Sequence, residues 1–377
     1  MPKSGSRASN QIPHRRAFFF HFAVASSVRL TTGETMSKIV VIGGSAGAIN
    51  AVKLILPSLP HDFPAAILIV IHTGSQKSVL PEILGRCSTM PVRHATDGEP
   101  IVPGRVLLAP PDEHLVVTRN GGRAYARLVH GPKENHSRPA IDPLFRSAAT
   151  VFGPNTIGVV LSGYLNDGTV GLQAVKACGG IALVQNPAEA EAPDMPASAL
   201  KYVNADRVLG LSEIGPALRE LAGADVQQST GSQQDNVSDK PNWIDIENRI
   251  TTMDSDMDDL EKIGKLSSLT CPECNGALWE MKARGPVRYR CHTGHAFTAK
   301  VLEALQSEAV EDAIWGAIRA LHEQERLFSK LAEKELQSGR QGGGAEYRAM
   351  AAQARAHSTA LRELVAARAI AVHSESS

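Results

Sequence analysis

Short, unbroken apolar runs alternate with amphipathic stretches from Ile39 onward. The first, residues 39–42, ends in Gly43-Gly44-Ser45-Ala46-Gly47. Apolar Ile49, Val52 and Leu56 then recur at helical spacing before Pro57. Residues 65–71, 105–109, 157–162 and 181–185 form further runs of the same kind. None alternates with period two, which predicts strands buried on both faces. Helical stretches at 143–151 and 170–177 alternate with the last two. This alternation predicts an α/β fold, a parallel sheet covered by helices. Residues 92–135 carry more turns, among them Asn120-Gly121-Gly122, a hairpin signal.

The pattern changes twice further on. Around 225–242 Gln, Ser, Asn, Asp and Gly replace the large apolar residues, which predicts a linker. Residues 243–264 return to a helical pattern with acids at Asp254, Asp256, Asp258, Asp259 and Glu261, read as a solvated face. Residues 271–296 form a compact Cys/His unit. Two long helical stretches, 298–337 and 345–371, follow, joined by a glycine-rich segment at 338–344. Val310, Ile314, Ala317, Leu321, Phe328 and Leu331 predict a seam on the first, interrupted by Gln324. Met350, Ala354, Leu361 and Leu364 predict one on the second, and together they imply a helical hairpin or coiled coil. The second seam is weak in bulk, so these helices could serve a partner or a second copy. The expected organisation is a leader or mis-assigned start over 1–35, a first domain over 36–224, a linker over 225–242, an acidic helix with the Cys/His unit over 243–296, and the hairpin over 297–377.

Composition narrows the classes. The 377 residues exceed one small core and predict two or three domains. Thirty-nine basic residues balance 39 acidic ones, so no basic domain calls for nucleic acid. No apolar stretch of about 18 residues exists to span a membrane. Residues 1–35 are basic, and Arg15-Arg16 precede a broken apolar run. They read as a disordered leader or an upstream extension of a start at Met36, in preference to a twin-arginine export signal. The expected location is the cytoplasm. Three of the five cysteines cluster, which points to metal rather than disulfides, while Cys87 and Cys178 read as ordinary buried thiols.

The candidate chemistry lies at strand ends. Gly43-Gly44-Ser45-Ala46-Gly47 fits G-x-S-x-G between a strand and a helix, where a tight turn exposes a serine Oγ. The following helix N-terminus offers unpaired N–H groups for an oxyanion. A serine needs a base, and His72 closes the next run. A base needs an orienting acid, and Asp167 sits in a Gly-flanked loop after 157–161. Ser45, His72 and Asp167 thus suit nucleophile, general base and orienting carboxylate. Their chain order differs from the Ser, Asp, His order of α/β-hydrolases.

Further motifs include Ala109-Pro110-Pro111-Asp112-Glu113-His114-Leu115, Arg138-Pro139-Ala140-Ile141-Asp142-Pro143-Leu144-Phe145, Leu161-Ser162-Gly163-Tyr164-Leu165-Asn166-Asp167-Gly168, Gln185-Asn186-Pro187 and Met195-Pro196. Jointly with the serine turn and His72 they make residues 39–222 resemble the CheB-type protein-glutamate methylesterases. The resemblance implies a doubly wound, mostly parallel α/β fold. It assigns Ser45, His72 and Asp167 their three roles and puts the backbone around Tyr164, with Ala46 and Gly163, at the oxyanion and substrate site. Family members usually carry Met where Tyr164 stands. The implied reaction is hydrolysis of glutamyl γ-methyl esters on chemoreceptors, and some members also deamidate glutamine. Such enzymes typically carry a phosphoacceptor receiver domain ahead of the catalytic one, which the 35–38 residues before the first strand do not match. Control or localisation is therefore expected from the C-terminal module.

Cys271-Pro272-Glu273-Cys274 and Cys291-His292-Thr293-Gly294-His295 stand sixteen residues apart, a spacing suited to a closed structural zinc site. Two short strands, 278–281 and 287–290, are expected between the pairs. The fourth ligand is His292 or His295. His295 is favoured because its three-residue gap lets the loop wrap the ion, and because it matches the Cys-x-x-Gly-His ending of zinc-ribbon segments attached to similar esterases. Two rival functions stand beside the esterase. A dinucleotide-binding oxidoreductase would want an acid where His72 stands. A catalytically silent scaffold would keep the fold without the reaction.

Overall fold

Ile39 and Val41 pack on one side of a sheet, and Val40 and Ile42 on the other. Both faces of this strand are covered, so its sequence shows no polar alternation. The computed structural model describes residues 37–74, 76–224, 241–256, 258–282, 285–338 and 341–374. The expected leader over 1–35 and most of the expected linker lie outside these residues. The chain runs through β1 (Ile39–Gly44), α1 (Ala48–Ile55), β2 (Ala66–Ile71), α2 (Leu80–Gly85), β3 (Val92–His94), β4 (Glu99–Pro100), β5 (Val106–Leu108), β6 (His114–Asn120) and β7 (Arg123–Val129). It continues through α3 (Ile141–Phe152), β8 (Thr156–Val160), α4 (Thr169–Ala177), β9 (Ile181–Gln185), α5 (Asp194–Tyr202), β10 (Arg207–Leu209) and α6 (Leu211–Gly223).

Seven strands form one parallel sheet in the order β10-β9-β8-β1-β2-β5-β3. The chain winds outward from β1 through β2, then returns to the other side of β1 at β8. The fold is thus the expected doubly wound α/β, with its switch point at β1. α1 buries Ala48, Ala51, Val52 and Ile55, one helical face, against one side of the sheet. Leu144, Phe145, Ala148 and Leu172 of α3 and α4 cover the other side. The Asn-Gly-Gly signal is a two-residue hairpin turn between β6 and β7, with Gly121 and Gly122 at φ 56 and 81.

The C-terminal half contains α7 (Asn242–Thr251), α8 (Asp259–Ile263), β11 (Gly264–Thr270), β12 (Ala277–Met281), β13 (Arg288–Cys291), β14 (Ala296–Thr298), α9 (Ala299–Gln337) and α10 (Gln341–Ser374). The acidic stretch expected as one helix forms two. Its acids are not one solvated face either, since Asp259 is buried against Arg249 and Lys262, each at 2.7 Å. The strands β11–β14 form a four-stranded antiparallel sheet, which includes the expected strand pair.

The helices α9 and α10 pair antiparallel. Phe328 stacks on Tyr347, Arg355 bonds Glu325, and Arg362 reaches His322. The seam overlaps the expected one in part: Ala354 is buried, and Ile314, Leu321, Phe328 and Leu331 are half-buried. Ile318 and Ala332 are buried on α9, facing Ala351, Ala354 and Ser358 on α10, while Val310, Met350 and Leu364 are exposed. Small residues on α10 let the helices approach closely, so packing follows their stripe rather than the bulkier apolar positions. α10 also begins at Gln341, inside the glycine run expected to be a connection. Cys87 and Cys178 are half-buried rather than buried, and neither is in a disulfide. Among the described residues, no helix is long and apolar enough to cross a membrane.

Candidate active site and metal centre

The register of β1 and β2 pairs Gly44 with Ile71, so Ser45 and His72 leave adjacent strands side by side. The His72 amide donates to the Gly44 carbonyl at 3.3 Å, and the Ser45 amide donates to the Ser162 carbonyl beyond β8 at 2.9 Å. Gly47, at φ 78, takes the left-handed position of the turn and caps α1. The loop from β8 passes close by. A Cβ on Gly163 would lie 2.7 Å from Met195 Cε and 3.0 Å from Ser45 Cβ, so only glycine lets this loop approach the serine.

Asp167 closes the group. Its Oδ2 accepts from His72 Nε2 at 2.9 Å and from the Ile141 amide at 2.6 Å. Its Oδ1 accepts from the Gly168 amide and Asn135 Nδ2, both at 3.0 Å, and from the Asp142 amide at 3.3 Å. The carboxylate therefore sits on the N-terminus of α3, where the helix dipole favours negative charge. Burial works to raise its pKa, but the His72 contact and these N–H donors outweigh burial and hold it below the ordinary value. Asp142 goes the other way. Burial first, then the charge of Asp167, pushes it well above the ordinary value. The two carboxyls form a coupled pair in which Asp167 carries the charge. His72 gives Nε2 to Asp167, which leaves Nδ1 as its other ring nitrogen; among the described residues no hydrogen bond joins it to Ser45.

The amides of Ala46 and Tyr164 donate to no protein group among the described residues. The Gly163 amide is already committed to the Ala192 carbonyl at 3.0 Å. Of the three candidate oxyanion residues, Gly163 thus shapes the loop instead of offering its N–H. The Tyr164 side chain is exposed. A cleft of about 400 Å³ opens beside His72, lined among others by Lys133, His136 and Arg138. Arg138 holds Asp112 at 2.7 Å, and His136 meets Glu273 at 2.6 Å.

Cys271, Cys274, Cys291 and His295 come together in the second half of the chain, their donor atoms all within 4.8 Å of one another. Cys271 and Cys274 lie in the β11–β12 turn, Cys291 ends β13, and His295 precedes β14. Cys274 Sγ is 3.7 Å from Cys291 Sγ, and His295 Nδ1 is 3.5 and 3.8 Å from the sulfurs of Cys291 and Cys271. Ligands at the corners of a tetrahedron around zinc are about 3.5–3.8 Å apart. This Cys₃His group could therefore hold a metal ion. His292 is exposed, edge-on to Trp279, outside the group.

Residues that the sequence did not single out bind the two halves together. Glu134 is buried with Arg146 at 2.8 Å, Arg290 at 3.1 Å and the Thr251 hydroxyl at 2.7 Å. Buried Glu247 meets Arg288 at 2.6 Å and Arg290 at 3.4 Å. Burial works to raise both glutamates, but the guanidiniums outweigh it and hold them below the ordinary value. His114 is buried, and desolvation lowers its pKa from the ordinary value. Its Nδ1 accepts from the Ala140 amide, and its Nε2 donates to the Pro132 carbonyl. The sequence signal for Glu134 was weak, a lone acid in a loop whose basic partners lie 12 to 156 positions further along the chain.

Fold and site together define a doubly wound α/β domain carrying a serine, a histidine and a buried carboxylate at its switch point. The chain belongs to the CheB methylesterase family, whose family model matches residues 40–218. A Leptospira interrogans relative, named provisionally as a protein-glutamate methylesterase/protein-glutamine glutaminase, is 38% identical over 190 residues. These are 50% of this chain and 97% of that protein. "Protein-glutamate methylesterase/protein-glutamine glutaminase 1" of Xanthomonas euvesicatoria is 38% identical over 189 residues, 50% of this chain and 53% of that protein. The chain thus spans about half the length of several of the curated relatives it matches. The crystal structure of the Thermotoga maritima CheB methylesterase catalytic domain is covered completely at 36% identity, with a TM-score of 0.48 over 50% of this chain.

Proposed function

We propose that this chain is a serine esterase that hydrolyses γ-methyl esters of protein glutamates, with methylated chemoreceptors as substrates and glutamine deamidation as a second activity. The observation that carries this is the 2.9 Å contact between His72 and buried Asp167, with Ser45 leaving the neighbouring strand level with His72. His72 Nδ1 takes the Ser45 proton as Oγ attacks the ester carbonyl. The amides of Ala46 and Tyr164 receive the developing oxyanion. His72 returns the proton to the leaving oxygen, and methanol departs. Water then enters against the same base and releases the glutamate. Asp167 stays ionised and stabilises the imidazolium. The names of the relatives support the substrate class.

The Cys₃His group would hold a zinc ion. With four protein ligands it would be closed, and so structural rather than catalytic. Zinc would fasten the two turns of the β11–β14 sheet.

Methanol release from a methylated chemoreceptor cytoplasmic fragment tests the proposal, with the wild type compared with Ser45→Ala. Release by the wild type and a loss of at least about 10³-fold in the variant are expected. No release by either would point to a silent scaffold or another ester.

A further inference from the structure

Three successive residues of the loop that carries Asp167 are held, directly or through one side chain, by the C-terminal half of the chain. Leu165 packs on the core of the β11–β14 sheet, against the cluster formed by Cys271, Leu278, Cys291 and Phe297. Asn166 Oδ1 accepts from the Thr298 hydroxyl at 2.7 Å. Asp167 Oδ1 accepts from Asn135 Nδ2 at 3.0 Å. Asn135 is itself gripped by the same strand end. Its amide donates to the Ala296 carbonyl at 2.7 Å, and its Oδ1 accepts from the Thr298 amide at 3.1 Å. Asn135 sits at φ 51, a conformation asparagine tolerates better than most residues.

We propose that Asn135 is a positioning residue that ties the orientation of the Asp167 carboxylate to the docking of β14. The C-terminal unit then completes the active site rather than merely accompanying it. This rests on the serine-esterase function proposed above. The physical ground is that a carboxylate can orient a histidine only if its own rotation is fixed. Asn135 and the Asp142 amide hold Oδ1 of Asp167, so that Oδ2, which also accepts from the Ile141 amide, faces His72. The Asn135 amide group cannot turn, because the Thr298 N–H holds its oxygen. The titratable groups facing Asp167 are His72 beyond β2 and Asp142 on α3, with His114 of β6 also acting on it.

The test uses the full chain with Asn135→Gly, which keeps the backbone conformation, and separately Thr298→Val, which removes the hydroxyl that donates to Asn166 and caps α9 but leaves the Thr298 N–H on Asn135. In Asn135→Gly, kcat for methanol release is expected to fall about 10–100-fold with KM within about twofold. The acid limb of the pH profile should move to higher pH, because one donor that holds the Asp167 carboxylate down is gone. The low-field imidazole proton shared by His72 and Asp167, read by NMR, should shift. Thr298→Val should move the same three readouts in the same direction by less. Loss of activity with an unmoved pH profile and imidazole proton would make Asn135 a structural prop and overturn the proposal. So would wild-type behaviour in both variants. If Asn135→Gly does not fold, Asn135→Ser, which also lacks the Nδ2 donor to Asp167, decides. If the wild type releases no methanol, the esterase function fails, and the imidazole proton alone still decides the coupling.

Discussion

At the scale of single residues, the site depends on close approach more than on special side chains. Gly163 has no room for a methyl group between Met195 and Ser45. Gly163→Ala should push the loop off the serine and lower kcat by about 100-fold, the cost of a misplacement near 1 Å. Initial-rate kinetics at saturating substrate check this. Tyr164 is the reverse case. Its amide is the proposed oxyanion donor while its ring is exposed, so Tyr164→Met should leave kcat within about threefold and act mainly on KM. Asp167→Asn keeps the shape but removes the charge that selects the histidine tautomer, and should cost about 10³–10⁴-fold in kcat.

At the scale of elements, α3 links the sheet to the C-terminal unit. Its N-terminus holds Asp167, and five residues on from Ile141, Arg146 holds Glu134 and reaches toward Glu247. Glu134→Gln leaves Arg146 and Arg290 short of a buried counter-charge and should destabilise the chain by about 3–5 kcal/mol at neutral pH. The pH dependence follows from the direction of the shifts. Glu134 and Glu247 are held below the ordinary value, so their stabilisation is present above the usual carboxylate range and is lost as pH falls through it and below. Denaturant unfolding from neutral to acid pH should show the wild type losing stability on acidification and Glu134→Gln losing less. An equal acid slope in both would count against this account.

At the scale of the whole molecule, catalysis and the outer hairpin should separate. The first turns of α9 place Val301 and Leu302 in the core of the β11–β14 sheet. Beyond them α9 is largely exposed, except where it packs on α10. A chain ending at Ser307 should therefore keep kcat within about twofold. Cys274→Ser should lose the metal and loosen the β11–β14 sheet, read by metal content and by hydrogen exchange in residues 264–298. One zinc per chain in that variant would contradict the assigned ligand set.

Much of this was legible in the chain itself. Unbroken apolar runs marked the strands of the parallel sheet, because a strand covered on both faces has no polar side to show. The glycines around Ser45 marked a tight turn and the Cys/His spacing a group that comes together, because turns and closely spaced Cys/His pairs are local in sequence. Short strands such as β10 and β14 carried too few residues for a pattern. The hairpin seam was legible only in part, because which stripe packs depends on how closely the partner helix comes. The choice of Ala46 and Tyr164 over Gly163 as free amides waited for the fold, since only the fold shows that Ala192 takes the Gly163 N–H. The same holds for Asn135 and the Glu134–Arg146–Glu247 cluster. Sequence alone determined what each segment could form, through periodicity and turn chemistry. Tertiary structure decided which distant polar groups met, because a buried hydrogen bond or ion pair is specified by where two surfaces close, and nothing local encodes that.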